Sequence, residues 1–231
     1  MGSVILEVAL VDCEQLRGGL LAQPANSLSS LAFVVAGVWI LVRAQRHIVN
    51  LDAIAVGLAS LAVGVGSFAF HGIAGAQAHW LHDTTLLTLL GLVAVEHVGP
   101  RGLCVARAAP IVVVFAGTSV FASPNSTTLV AVVLVLCVAA SEVAAPWRNR
   151  VRIIPGPLAT MLAGGLCASW LGRTGSVLCR PESVLQLHAL WHLVMAAATV
   201  WWVECAVLDA PAGPNAVIGS DARGEAVTAR R

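Results

Sequence analysis

The chain contains no lysine; all 13 of its basic residues are arginine. A covalent retinal Schiff base, which needs a lysine amine, is therefore excluded. Charge of either sign is scarce, with 11% charged residues against 58% hydrophobic ones, where soluble domains carry roughly 25% charged. Together with a mean hydropathy of +0.86, this composition is that of an integral membrane protein. Net charge is only +1, and the one local basic run is Arg148, Arg150 and Arg152, so no nucleic-acid partner is expected. Cys13, Cys104, Cys137, Cys167, Cys179 and Cys205 show no C-x-x-C spacing and give no zinc-knuckle signal. In apolar spans they are expected to be small core residues, with a Cys13–Cys179 bridge left open. Residues 1–20 carry Glu7, Asp12 and Glu14 and no basic residue before Arg17, which is not the charge order of an export signal. The first span is thus expected to insert as a structural helix. No internal repeat is evident.

Seven apolar segments can be drawn, at about residues 27–43, 52–71, 80–98, 107–122, 127–145, 157–172 and 185–208. Crossing about 30 Å of hydrocarbon takes roughly 20 helical residues, so the fourth and sixth are short and the other five are secure. The runs are long and do not alternate, which predicts helices rather than barrel strands. Pro100, Pro124 with Asn125, and Pro146, Pro155 and Pro157 punctuate them. The expected fold is an all-α bundle of seven transmembrane helices forming one membrane domain over residues 1–208. The polar, Gly- and Pro-containing stretch 209–231 is expected to be a mobile cytoplasmic tail.

Arginine counting orients the bundle. An amino terminus outside leaves only Arg17, Arg173 and Arg180 on the outer side and places the other ten arginines on the cytoplasmic side. His71 then closes the second span, Asp83 lies in the first turns of the third, and His188 and His192 open the seventh. All approach the outer face.

Ionisable groups within spans are costly and are kept mostly for function. The most specific constellation is Gly64-Val65-Gly66-Ser67-Phe68-Ala69-Phe70-His71 together with His188-Ala189-Leu190-Trp191-His192. Ser67 and His71 are four apart, as are His188 and His192, so each pair shares a helix face. Three imidazoles with an open fourth position are the donor set of a catalytic zinc. Asp83 is the natural acid–base partner, with His82 and His79 as competitors for a ligand or relay role. Ser67 is placed to donate to a developing oxyanion. The bland alternatives are interhelical hydrogen bonds for the histidines and Ser67, an interfacial carboxylate for Asp83, and interfacial anchoring for His79, Trp80 and Trp191.

These residues resemble the alkaline ceramidase family, within the group of seven-helix membrane metal-hydrolases that includes the adiponectin-receptor-like proteins. The resemblance runs from about Asp12 to Glu204. It rests on Asp12-Cys13-Glu14, on Gln23-Pro24-Ala25-Asn26-Ser27-Leu28-Ser29-Ser30-Leu31-Ala32-Phe33, on Gly64 to His71 followed by Asp83, and on His188 to His192. It implies hydrolysis of the ceramide amide to sphingosine and fatty acid, with His71, His188 and His192 as zinc ligands, Asp83 activating water and Ser67 stabilising the oxyanion. Two departures stand out. Gln23 occupies a position where the family's eukaryotic members carry a calcium-binding carboxylate, so calcium is not expected at the amino-terminal segment. The His71-to-Asp83 spacing is one residue longer than the family's, an insertion that the loop from Gly72 to Ala78 would absorb. A site on the outer leaflet suits a lipid substrate entering from the bilayer, and these residues serve an amide or an ester alike. The competing readings are an adiponectin-receptor-like metal-binding receptor or hydrolase, and a small non-enzymatic membrane transporter.

Overall fold

The computed structural model describes residues 12–46, 50–98, 104–123, 127–144 and 156–208. Among them are seven α-helices and no strand: α1 (Pro24–Gln45), α2 (Leu51–Gly72), α3 (Ala76–Val98), α4 (Val105–Ala122), α5 (Thr127–Ala144), α6 (Gly156–Leu171) and α7 (Leu187–Val203), the last continued by a π-helical turn, Glu204–Leu208. The tail from Asp209 to Arg231, Pro100, Pro124, Asn125, Pro146, Pro155, and Arg101, Arg148, Arg150, Arg152, Arg223, Arg230 and Arg231 lie outside the described residues.

Helix ends follow local chemistry. Pro24 opens α1, where its missing N–H and fixed φ cost nothing. Asn50 caps α2, its side chain accepting a hydrogen bond from the Ala53 N–H at 3.0 Å. Between α2 and α3 the connection is shorter than expected, only Ile73 to Gly75, because Ala74 and Gly75 take left-handed backbone (φ 56° and 123°) and reverse the chain at once.

Helix α1 lies against α2 and α7, α2 against α3, α3 against α4 and α5, and α6 against α7. The core centres on Phe33, Ile40, Val56, Val63, Leu92, Trp202 and Val203. Helices α1 and α2 approach closely. A Cβ at Gly64 would meet the Val34 nitrogen at 2.7 Å and the Ser30 carbonyl at 3.1 Å, so only a missing side chain lets these backbones meet. This approach brings the Ser30 turn of α1 onto the Ser67 turn of α2.

Five helices are long and apolar enough to cross a membrane: α1, α2, α4, α5 and α7 with its π turn. They are not the five that hydropathy marks as secure. Helix α4 reaches 18 residues and qualifies, whereas α3, at 23, does not, since His79, His82, Asp83, Thr84, Thr85 and Thr88 dilute its first half. The outward faces are apolar, with Ile111, Leu129 and Trp170 exposed, as lipid-facing surfaces are.

The cysteines depart from the core expectation. Cys13 and Cys179 form a disulfide, while Cys137, Cys167 and Cys205 are exposed. A thiol is a small, weakly polar group, so a lipid-facing surface accommodates it as well as a core does.

Before α1, residues 12–23 run as a strap across one end of the bundle. The Gln23 N–H donates to the His71 carbonyl and the Ala22 N–H to the Gly72 carbonyl, both at 2.9 Å, satisfying acceptors that the end of α2 leaves orphaned. Further back, the Cys13 N–H donates to Gly172 and the Gln15 N–H to Pro181, again at 2.9 Å. The strap thus joins the end of α2 to the segment between α6 and α7.

Candidate metal centre

Beneath the strap the three histidines meet. His71 comes from the last turn of α2, and His188 and His192 from successive turns of α7. Their ring centroids are 5.1 Å (His71–His188), 5.3 Å (His71–His192) and 4.8 Å (His188–His192) apart. One ring nitrogen from each lies within 4.8 Å of the others. His71 and His192 are fully buried.

The ring nitrogens sort into two sets. His71 Nδ1 faces Gln23 Oε1 at 2.8 Å and Asp12 Oδ2 at 3.5 Å. His188 Nδ1 faces Asp12 Oδ1 at 3.2 Å. His192 Nδ1 faces Ser29 Oγ at 2.8 Å. Each Nδ1 therefore has a polar oxygen beside it, and where that contact is a hydrogen bond, at His71 and His192, the imidazole presents Nε2 as its ligand atom. The Nε2 atom of His71 and both ring nitrogens of His188 are buried and have no hydrogen-bond partner among the described residues, and His192 Nε2 meets the Ser67 hydroxyl at 3.2 Å.

This donor set suits a divalent cation. Unpartnered buried imidazole nitrogens are costly unless something binds them, and three histidines without a thiolate suit zinc. Asp12 supplies a second argument. Its two carboxylate oxygens are buried and near His71 and His188, yet neither is aligned in a hydrogen bond. Burial pushes its carboxyl up to about 7, against the lowering influence of His82 and Arg173, and a cation among the imidazoles would stabilise the charged form.

Of the two further residues read from the sequence, Ser67 joins the histidines directly. Its buried hydroxyl bridges Ser30 Oγ at 2.8 Å and His192 Nε2. Asp83 stands one step outward: Oδ1 receives His82 Nδ1 at 2.8 Å and Oδ2 lies 3.2 Å from His79 Nε2. His82 links this carboxylate to the centre. Its ring stacks on Phe70 at 4.8 Å and stands 6.1 Å from that of His71. A Cβ at Gly66 would come within 3.2 Å of the His82 backbone, so glycine there seats α3 against the Ser67 turn.

The sequence reading paired none of the Nδ1 partners with the histidines. Gln23 stood there only as a missing calcium carboxylate, but its side chain spans from the Glu14 carbonyl (Nε2 donating, 2.9 Å) to His71. Glu14 holds the head of α1, taking the Ala25 and Asn26 N–H groups at 2.8 Å each. The available signal was the polar run from Gln23 to Ser30 heading an apolar span, where each polar side chain requires a partner. Trp191, expected at the interface, packs against the rings of His188 and His192 at 5.2 and 5.1 Å. His79, expected likewise, joins the Asp83 carboxylate.

Three converging imidazoles, a neighbouring hydroxyl and a carboxylate one residue removed are the parts that polar-bond hydrolysis requires. No family model matches the chain, and no curated protein matches it.

Proposed function

We propose that this protein is a zinc-dependent membrane amidase, hydrolysing the amide bond of ceramide or a related lipid to a free fatty acid and a sphingoid-type amine. One observation carries the reading: His71, His188 and His192 each offer a ring nitrogen within 4.8 Å of the others, and the Nε2 atoms of His71 and His188 are buried with no hydrogen-bond partner among the described residues. Zinc bound there would supply a water acidified toward a pKa of about 7 and a Lewis acid for the amide carbonyl. The residues around it divide the remaining work. The Ser67 hydroxyl donates to the oxygen that gains charge as the carbonyl becomes tetrahedral. The Asp83 carboxylate, with His82 beside it, takes a proton from the attacking water and returns it to the leaving amine. Gln23, Asp12 and Ser29 hold the three imidazoles in register.

In this reading α3 and α6 also cross the membrane, giving seven spans with the amino terminus outside and the carboxyl terminus cytoplasmic. The arginine asymmetry supports that orientation. The site then opens on the outer side, and the lipid enters from the bilayer. The likeness of the motif segments to alkaline ceramidases favours an amide over an ester.

The test is fatty-acid release, followed by mass spectrometry, from a panel of ceramides and lipid esters with zinc-loaded protein. Wild type should prefer amides. Asp83→Asn should keep its zinc and lose roughly 10²–10⁴-fold in kcat, and Ser67→Ala about 10²-fold. A loaded wild type that cleaves no lipid amide would overturn the proposal.

A further inference from the structure

Among the described residues Asp12 is the one carboxylate that lies beside two of the three histidines, with Oδ1 3.2 Å from His188 Nδ1 and Oδ2 3.5 Å from His71 Nδ1. It belongs to no helix. What holds it is the strap: its backbone pairs with Arg173, its carbonyl accepts the Thr174 hydroxyl at 2.8 Å, and the next residue, Cys13, is bonded to Cys179. A buried carboxylate whose oxygens lack aligned hydrogen bonds drives the segment that bears it toward water. A covalent link one residue away resists this. The hydrogen bonds of the strap beside it are few and are individually worth about 1 kcal/mol.

We propose that Asp12 is a positioning residue shared by two metal ligands, and that the Cys13–Cys179 disulfide keeps it in place, so that metal affinity depends on the oxidation state of this bond. The inference rests on the metal-centre reading and is independent of which bond the centre cleaves. His188 depends on Asp12 most, because among the described residues its Nδ1 has no hydrogen-bond partner and Asp12 Oδ1 lies beside it, whereas His71 also has Gln23. Reduction by a phosphine breaks the S–S bond with two electrons and leaves two thiols, the phosphine becoming its oxide with oxygen from water. The strap then loses its covalent tie to the segment preceding α7, and Asp12 can withdraw from His188.

The test uses the full chain in detergent, with zinc affinity measured by competition against a chromophoric chelator. Loss of an outer partner of a metal-bound histidine typically weakens binding 10–100-fold. Reduced wild type and a Cys13→Ser/Cys179→Ser double variant should each show a loss of about that size. Asp12→Asn should show it while oxidised, and reducing that variant should add less than about threefold, since both changes remove one interaction. A merely structural Asp12 is separated by thermal unfolding of metal-free protein. Asp12→Asn should be no less stable than wild type there, because it deletes an uncompensated buried charge. Equal zinc affinity in the oxidised and reduced wild type would overturn the inference, as would parallel losses of zinc affinity and metal-free stability in Asp12→Asn. A protein that hydrolyses no lipid amide but shows the redox-dependent affinity supports this inference and defeats only the proposed reaction.

Discussion

Replacing Gln23 by methionine separates the metal centre from the fold around it. The side chain is fully buried, its Oε1 accepting from His71 Nδ1 at 2.8 Å and its Nε2 donating to the Glu14 carbonyl at 2.9 Å. Methionine fills nearly the same volume and makes neither bond. On the metal side, an outer partner of a histidine ligand is worth about 10–100-fold in affinity, or about 1.4–2.7 kcal/mol. Asp12 Oδ2, at 3.5 Å from the same nitrogen, takes over part of that role, so the loss should fall near the lower end, about tenfold. On the fold side, the Glu14 carbonyl loses its donor, at about 1–3 kcal/mol if no water reaches it. Gln23→Glu reverses the pattern: the acceptor for His71 remains, but a carboxylate oxygen then faces the Glu14 carbonyl. That variant should hold zinc as tightly as wild type and melt at a lower temperature. Chelator competition reads the first quantity and thermal unfolding of metal-free protein the second. Wild-type zinc affinity in Gln23→Met would refute the claim that Nδ1 contacts orient the ligands.

Two further outcomes are expected. Calorimetric titration of the purified protein with calcium should show no binding in the micromolar range, because Glu14 is committed to the head of α1 and Gln23 to His71; a tight stoichiometric site would contradict the assignment of these side chains. With Cys104, Cys137, Cys167 and Cys205 replaced by serine, single cysteines at Leu20→Cys and Glu225→Cys should be labelled by an impermeant reagent from opposite sides of the membrane, and labelling of both from one side would defeat an odd number of spans.

Much of the scaffold was legible because lipid leaves the backbone few choices. The end of α2 and the start of α7 fell within a residue or two of the hydropathy reading, and the i,i+4 spacings of Ser67/His71 and His188/His192 placed those side chains on common helix faces. Their convergence at one end of the bundle then needed only antiparallel crossing. The strap was not legible. Residues 12–23 have no periodicity, and their partners are the carbonyls of His71, Gly72, Gly172 and Pro181, which exist as acceptors only once the helices have ended there. For the same reason Gln23 read as a missing calcium carboxylate, and Asp12 as part of a motif segment, rather than as partners of histidines 48 or more residues away. Asp83 shows another limit. Its helical position was clear, but spacing alone does not reveal that His79 and His82 occupy its two oxygens.

The central claim is that His71, His188 and His192 hold one metal ion. Elemental analysis of the detergent-purified chain, alongside its three single alanine variants, tests it most directly. Wild type should carry one zinc per chain and His188→Ala should lose it, since two remaining protein ligands retain a catalytic metal poorly; full zinc content in all three variants would contradict a shared site.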